Sequence, residues 1–156
     1  MDTGPGDPDV SGSATLYNTY GDWSDTVAAA VHQRFDGTTA RYALAYGETH
    51  PNSLPLTGSA TWRGDMAGLD ANSRAVRGAA EITVADLSDP LADVTLTPRA
   101  RAAMRRESLP VTGGEFSERL RPDDCIRGGF YGREAEEAGG VFERGGIVGA
   151  FGAERP

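Results

Sequence analysis

The last twenty-nine residues of the chain combine many glycines with regularly spaced large apolar side chains. This segment, Gly128 to Pro156, contains nine glycines. Its large apolar residues are Phe130, Tyr131, Val141, Phe142, Ile147, Val148 and Phe151. That apolar content is too high for a flexible linker, and each glycine inside a helix costs about 1 kcal/mol relative to alanine. The segment is therefore predicted to form short strands in which the glycines have steric roles.

A period of two recurs along the chain from Thr57 onward. In TGSATWRGDMAGL, small and apolar residues such as Trp62 and Met66 fall on one face, and Arg63 and Asp65 fall on the other. AVRGAAEITVADL repeats the alternation, and similar short runs follow at ADVTLT, GEFSERL, IRGGFYG, GGVFE and IVGAFGA. Alternation of this kind is typical of half-buried strands. The polar and glycine-rich residues between the runs favour turns, with Gly145-Gly146 as one hairpin turn.

Small and large residues also alternate along one face of these strands, as in Ile147, Gly149 and Phe151. A small barrel fills its interior with such alternation, and its closure removes exposed sheet edges. We therefore predict an all-β fold, an antiparallel up-and-down barrel of about eight strands. The residues expected to face its interior include Trp62, Ile82, Phe130 and Phe151.

Upstream of the barrel, VAAAVHQRF and ARYALAY are predicted to be two strands flanking the turn DGT, although the alanine run 28–30 is also compatible with a helix. The segment Pro98 to Ser108, PRARAAMRRES, is predicted to be a short helix or helical turn, because proline at its start is followed by alanine, arginine and methionine. Composition predicts a disordered lead-in at 1–14, an N-terminal segment packing on or extending the barrel at 15–56, and the barrel at 57–156.

The net charge of -8 argues against nucleic acid and anionic membranes as partners, because both repel the chain. No run approaches the roughly 18 apolar residues of a membrane-spanning helix. No charged-then-apolar leader opens the chain, so we expect any signal peptide to be missing from it. Cys125 is the single cysteine, which excludes an internal disulfide and leaves a small apolar or a reactive role.

Five blocks of sequence carry a resemblance to a known family: LTGSATWRGDMAGLD, AVRGAAEITVADL, GEFS, GGFYGREAEEAGGVF and the closing GAFGAER. In this order, from about Leu56 to Arg155, they resemble the C-terminal β-barrel of the transferrin-binding-protein-B-like family. The segment Tyr20 to Trp23, YGDW, also resembles an upstream stretch of small bacterial members.

The resemblance implies an antiparallel barrel of about eight strands that is not an enzyme and holds another molecule. Members of the family are exported by Gram-negative bacteria. They include surface lipoproteins that capture host transferrin, lipoproteins that bind complement regulators, and secreted haem- or haemoglobin-binding relatives. The resemblance thus implies an exported protein at the outer-membrane surface, in the periplasm or secreted. It assigns no binding residues, because the family binds through variable loops and handle-like domains outside the matched motifs.

Residues able to contact a ligand concentrate before the barrel: Tyr17, Tyr20, Trp23, His32 and His50. One histidine or tyrosine is sufficient to ligate haem iron, so these residues are candidates for a haem-binding face. The alternative is a hydrophobic cluster that caps the barrel. The two histidines lack converging partners, so we expect no metal site. No nucleophile–base arrangement is visible, so we expect no catalytic residues.

Two acidic groups fall in predicted turns, namely Asp123 with Asp124, and the cluster Glu134, Glu136 and Glu137. Carboxylates in turns are normally solvated, so we expect a charged surface at both places.

Three functions follow from these observations. The preferred one is a non-catalytic binding protein that captures a host or bacterial protein, or a small ligand, through barrel loops and the N-terminal segment. The second is a haem or metal carrier of the same fold. The third is a structural or interaction module of a bacterial envelope assembly.

Overall fold

The computed structural model describes the backbone at 8–11, 14–22, 26–35, 38–47, 54–55 and 57–156, and the side chains at 41–47, 54–55 and 57–156. The described residues form twelve strands and no helix, so none of them provides a helical membrane span. The strands are β1 (Pro8–Ser11), β2 (Ala14–Asp22), β3 (Thr26–Phe35), β4 (Thr38–Gly47), β5 (Ala60–Leu69), β6 (Ala75–Val84), β7 (Leu91–Pro98), β8 (Met104–Pro110), β9 (Glu115–Arg121), β10 (Asp124–Tyr131), β11 (Glu137–Arg144) and β12 (Ile147–Glu154).

The first four strands form an antiparallel sheet in the order β1-β2-β3-β4. The ladder between β3 and β4 begins where Phe35 pairs with Thr38, on either side of the predicted DGT turn. The strand prediction for VAAAVHQRF and ARYALAY is thereby confirmed, and the helical alternative at 28–30 is excluded. β1 lies within residues 1–14, the segment that composition predicts to be a disordered lead-in.

The other eight strands form one antiparallel sheet in the order β8-β7-β6-β5-β12-β11-β10-β9. Consecutive strands pair from β5 to β8 and from β9 to β12, and β12 returns to pair with β5, as Phe151 with Met66 shows. The sheet therefore curls into an up-and-down barrel. Within the described structure no ladder joins β8 to β9, so the barrel is nearly closed, with one seam between these two strands. The predicted all-β fold of about eight barrel strands is confirmed.

The barrel interior is filled by the side chains that alternation places there. Trp62, Ile82 and Phe151 are fully buried, and Phe130 is 2% exposed. The ring of Phe130 lies 4.6 Å from that of Trp62, centroid to centroid. The indole Nε1–H of Trp62 donates a 2.7 Å hydrogen bond to the carbonyl oxygen of Ala135, which satisfies the one polar group that this side chain buries. The predicted facing of the strands is confirmed.

The predicted helix at Pro98 to Ser108 is wrong. β7 ends at Pro98, the next residues form a turn, and β8 begins at Met104. Ala100 has a φ of 58°, which is incompatible with a right-handed helix. Pairing with β7 buries Leu109 in the core, and this burial outweighs the helix propensity of the alanines and arginines.

The four-stranded sheet packs against the outside of the barrel. Its strands β3 and β4 lie over β11 and β12, and β2 lies near β5. Arg41 of β4 fixes this packing, because its Nη1 donates hydrogen bonds to the carbonyl oxygens of Leu69 at 3.4 Å and Gly146 at 3.3 Å. One face of the small sheet is therefore covered by the barrel wall.

Candidate functional site

Three of the five residues that the sequence singles out for ligand binding fall in the N-terminal sheet. Tyr17 and Tyr20 belong to β2 and His32 belongs to β3, where the backbones of Tyr17 and His32 are paired. Trp23 and His50 lie outside the described residues, as do the side chains of the other three. Their role in binding haem or another ligand stays a prediction.

The face of β4 that points away from the barrel carries large apolar side chains. Tyr42 is 39% exposed, Leu44 is 38% exposed and Tyr46 is 62% exposed. The alternate residues Arg41 and Ala43 are half-buried against the barrel. A row of exposed aromatic and aliphatic side chains on one strand is unusual for solvent-facing surface and is typical of binding surfaces.

Between β4 and the barrel wall beside it lies an open groove of about 460 Å³, here named the outer groove. Its lining includes Ala43, Arg119, Cys125, Arg127, Val141 and Val148. Val141, Val148 and Cys125 are half-buried, so the floor of the groove is largely apolar. The lone cysteine therefore faces the outside of the barrel and not its core.

The outer groove is lined by two arginines and two glutamates. Arg119 and Arg127 are both exposed. Arg127 has a distant ion pair with Glu115, in which Nη2 and Oε2 are 3.9 Å apart and both side chains are more than half exposed. Such a pair contributes little, and both guanidinium groups are accessible to a partner. Glu118 and Glu143 also line the groove, and Glu143 lies on its floor, paired in register with Cys125 and Val148.

The interior of the barrel offers almost no space to a ligand. The cavity bounded by Val94, Leu96, Met104, Ile126 and Phe142 has a volume of only about 10 Å³. This is close to the space needed for a single water molecule. The described spaces large enough for a ligand lie on the outside of the barrel and at its end.

One end of the barrel carries a polar cleft of about 410 Å³. Arg101, Arg121 and Arg144 line it together with Asp123 and Asp124. Its three arginines and two aspartates give the lining a mixed charge. None of its lining residues is an exposed large apolar one, so the cleft is a poorer candidate for a protein partner than the outer groove, which β4 borders.

Two aspartates in turns have a lowered pKa, and one tyrosine has a raised pKa. The backbone N–H of Arg74 lowers the pKa of Asp70 most, with help from Asn72 and Arg101, and hydrogen bonds from Ser88 lower that of Asp86. Burial raises the pKa of Tyr131, and the charge of Glu115 adds to the effect. These groups lie in separate turns and strands, so they do not form a cluster for acid–base chemistry.

Among residues 41–47, 54–55 and 57–156, no group of three potential metal ligands comes together.

Sequence reasoning missed an ionic network that bridges the seam of the barrel. Arg106 of β8 is 9% exposed, and its Nε lies 2.9 Å from Oε2 of Glu118 on β9. Its Nη2 also pairs with Asp124 of β10. The prediction of a helix at Pro98 to Ser108 hid the alternation that places Arg106 on the inner side. The expected solvated role of Asp124 is therefore wrong.

The acidic turn before β11 also differs in part from expectation. Glu134 is exposed, and its backbone N–H donates a 3.0 Å hydrogen bond to Oε2 of Glu136. Glu137, by contrast, begins β11 and is 4% exposed. The turn is charged as predicted, but its last carboxylate belongs to the packed part of the molecule.

Comparison with solved structures places this fold among known ones. The chain is similar to the structure of intact Ap-TbpB, which has N and C lobes. The match covers 99% of this chain and 39% of Ap-TbpB, with a TM-score of 0.67 and 16% sequence identity. The chain also matches isotype 1 transferrin-binding protein B from serogroup B Neisseria meningitidis, over 100% of this chain and 37% of that protein. The TM-score is 0.65 and the sequence identity is 18%. A surface lipoprotein matches over 90% of this chain and 81% of its own chain, with a TM-score of 0.61 and 14% sequence identity.

No protein family model matches the chain, and no curated protein is significantly similar to it in sequence. The chain spans less than two fifths of the length of the first two structures that it matches. The match includes both the four-stranded sheet and the barrel, because it extends over practically the whole chain. This protein therefore has the fold of a transferrin-binding protein B lobe.

Proposed function

We propose that this protein is a non-catalytic binding protein that captures another protein on its outer surface. The observation that carries this proposal is the match of the whole chain to a transferrin-binding protein B lobe. The match covers both the small sheet and the barrel, and in this proposal they act together as one binding unit. The proposal rests on likeness of fold, and the surface described above supplies its physical basis.

The distribution of space and apolar surface supports binding on the outside. The barrel interior is packed, with a cavity of only about 10 Å³. The exposed apolar side chains Tyr42, Leu44 and Tyr46 lie on the small sheet beside the outer groove. Aromatic residues are enriched at protein interfaces because one rigid side chain contributes a large contact area.

The proposed location is the outside of a bacterial cell or its envelope. The structures that resemble this chain include a surface lipoprotein and transferrin-binding protein B. An exported protein of this type meets its partner at the outer-membrane surface, in the periplasm or in the surrounding fluid. The net charge of -8 favours a partner with a basic surface at long range.

The experiment that tests the proposal is capture by the immobilised whole chain. Transferrin is the first protein to offer, because the similar structures are transferrin-binding proteins by name. Serum and bacterial envelope extract follow, with bound proteins identified by mass spectrometry and their affinity measured by biolayer interferometry. Saturable binding of one protein is the expected result. A haemin titration runs beside it, because a saturable Soret shift without any protein capture would overturn the proposal in favour of a haem carrier.

A further inference from the structure

We propose that the turn between β7 and β8 is a site of limited proteolysis, at which a trypsin-like protease hydrolyses the Arg101–Ala102 peptide bond and leaves a nicked but folded barrel. The chain contains fifteen arginines and no lysine, so these arginines are all the sites that a protease specific for basic residues can use. The proposal does not depend on the proposed function, because it concerns the backbone of the barrel and not the surface that binds a partner.

Ten of the fifteen arginines lie in strands and are protected by backbone pairing. A protease binds its substrate as an extended strand through main-chain hydrogen bonds, so a paired residue must first leave its ladder. Arg121, at the end of β9, is in addition followed by Pro122. Proline lacks the N–H group and has a fixed φ, so trypsin-like proteases do not accept it after the bond. The arginines outside strands are Arg74, Arg99, Arg101, Arg133 and Arg155.

Two of these five arginines are protected close to the backbone. Arg155 precedes Pro156, so the same restriction applies as at Arg121. The backbone N–H of Arg74 donates a 3.0 Å hydrogen bond to Oδ1 of Asp70. The carbonyl oxygen of Arg74 accepts a 3.0 Å hydrogen bond from the backbone N–H of Asp70. Both sides of Arg74 are therefore fixed in the turn between β5 and β6.

The turn that contains Arg133 is anchored to the barrel core. The carbonyl oxygen of Ala135 accepts the indole hydrogen bond of Trp62, and Ala135 is fully buried. The carbonyl oxygen of Glu134 accepts a 3.1 Å hydrogen bond from Nη2 of Arg155. The bond after Arg133 can become extended only if the buried indole N–H loses its acceptor, which is costly. This bond is therefore protected as well.

The turn 99–103 between β7 and β8 differs from all of these, because its five residues are exposed. The N–H of Arg99 donates a 2.8 Å hydrogen bond to the carbonyl oxygen of Arg77, which extends the pairing of β6 with β7 by one residue. The Arg101–Ala102 bond lies beyond that extension. Neither Ala102 nor Ala103 takes part in a turn hydrogen bond of the described backbone. Exposed loop tips with small residues are the preferred places for proteolytic nicking.

The side chain of Arg101 is available to a protease. It is 42% exposed, and its Nη2 lies 3.1 Å from Oδ2 of Asp70. An ion pair at this exposure contributes little, so the guanidinium group can leave Asp70 at small cost. It can then enter the acidic pocket with which trypsin-like proteases recognise a basic side chain. The methyl side chains of Ala102 and Ala103 leave the other side of the bond unobstructed.

Hydrolysis adds one water molecule across the Arg101–Ala102 bond. The C–N bond breaks, the hydroxyl group of water joins the carbonyl carbon of Arg101, and the remaining hydrogen joins the nitrogen of Ala102. The new carboxylic acid gives its proton to the new amine at neutral pH. The products therefore carry a carboxylate at residue 101 and an ammonium group at residue 102.

The two products are expected to remain associated, because barrel ladders join them. Residues 1–101 include β5 to β7, and residues 102–156 include β8 to β12. β7 of the first product pairs with β8 of the second, and β5 pairs with β12. The ring of Phe130 in the second product also lies 4.6 Å from that of Trp62 in the first. The nick therefore frees the start of β8 beside the seam and leaves the core in place.

The experiment is limited digestion of the whole folded chain by trypsin, with the products identified by intact mass spectrometry. We expect the first products to be residues 1–101 and 102–156. They should elute together in size-exclusion chromatography without denaturant and separate in urea. A lysine-specific protease is the control for contaminating activity, because the chain has no lysine and should stay intact.

Matched variants identify the bond. Arg101→Gln should slow the first cut about tenfold or more, because it removes the side chain that the protease recognises. Arg99→Gln, in the same turn, should change the rate less than about twofold. Ala102→Pro is a second test that keeps Arg101 and its ion pair with Asp70, and it should block the cut as Pro122 does after Arg121.

Four results would overturn the proposal. They are a first cut after any other arginine, resistance of the folded chain under conditions that digest the urea-unfolded chain, equal slowing by Arg99→Gln and Arg101→Gln, and products that separate without denaturant. None of them bears on capture of a partner by the proposed binding surface, so failure of this proposal and failure of the proposed function are distinguishable.

Discussion

Glycines on the inner side of the barrel leave room for aromatic rings from neighbouring strands. A Cβ atom at Gly128 would lie 2.6 Å from the ring of Phe116, and one at Gly149 would lie 2.6 Å from the ring of Phe142. Both distances are far below van der Waals contact, so an added methyl group must displace a ring or the backbone. The glycines therefore specify the packing of the core.

This complementarity predicts that Gly128→Ala destabilises the protein by about 1–3 kcal/mol, as overpacking of a core does. The control is Gly129→Ala in the same strand, where the nearest atom to a new Cβ would be the carbonyl oxygen of Gly114 at 3.1 Å. Gly129→Ala should therefore lower the free energy of unfolding less than Gly128→Ala does. Urea denaturation measures both, and Phe116→Leu should restore part of the stability lost in Gly128→Ala. Equal costs at the two glycines would contradict the steric role.

The facing of individual residues could be predicted from sequence where alternation was uninterrupted. Trp62, Ile82, Phe130 and Phe151 are interior as predicted, because burial of one sheet face imposes a period of two. Arg106 could not be predicted in this way. Its interior position depends on Glu118 and Asp124, which reach it from other strands across the seam.

At the scale of elements, turns and seams are held by ionic and polar contacts. The carboxylate of Asp70 closes the turn between β5 and β6, because Oδ1 accepts hydrogen bonds from the backbone N–H groups of Asn72 at 2.9 Å and Arg74 at 3.0 Å. Oδ2 accepts a 3.1 Å hydrogen bond from Arg101 in the turn after β7. One side chain thus connects two turns at the same end of the barrel.

These contacts make the contribution of Asp70 dependent on pH. They lower its pKa in the folded state, so the stabilisation is complete above the unfolded pKa of about 4 and is lost as pH falls through the folded value. Asp70→Asn should therefore lower the melting temperature at pH 7, and the difference from the unmodified protein should shrink below about pH 4. Asp123→Asn, in an exposed turn, is the control. A difference that persists unchanged at pH 2 would contradict this account.

The seam between β8 and β9 depends on Arg106. Arg106→Met removes the cation and leaves Glu118 and Asp124 close together without it, which should cost about 2–3 kcal/mol in a partly exposed network. The control is Arg63→Met, which breaks an exposed pair with Glu81 and should cost less than about 1 kcal/mol. Chemical denaturation measures both variants. Equal small losses would show that the seam is held by apolar packing alone.

Elements were predictable where one pattern dominated and not where two competed. The strands on either side of DGT were predicted because two apolar runs flank a turn, although the alanine run 28–30 left a helix open. The region from Pro98 to Ser108 combines helix-forming residues with a hairpin that is defined only by pairing of β8 with β7. Local propensity favours a helix there, but pairing of β8 with β7 stabilises a strand instead.

At the scale of the whole molecule, a packed barrel supports a small sheet that covers part of its wall. The barrel interior is packed with buried side chains, and the small sheet presents exposed apolar side chains on β4. Arg41 anchors the two together through the carbonyl groups of Leu69 and Gly146. The binding surface that we propose lies on the outside, where the small sheet meets the barrel.

The position of that surface could not be predicted from sequence. The sequence pointed to tyrosines, a tryptophan and histidines before the barrel, whose side chains lie outside the described residues, so their role stays a prediction. It could not show which residues β4 exposes, because that depends on which sheet face the barrel covers. The outer groove depends on contacts between residues about eighty positions or more apart, as Ala43 and Cys125 are.

Site-specific photo-crosslinking tests the central claim, that a partner is captured on the outer surface beside β4. Benzoylphenylalanine replaces Tyr46 in one variant and Leu91 in another, since both residues are exposed but lie on different parts of the molecule. Irradiation in the fluid that yields a captured protein should give an adduct with that protein from position 46 and none from position 91. Adducts at both positions, or at position 91 alone, would contradict the claim.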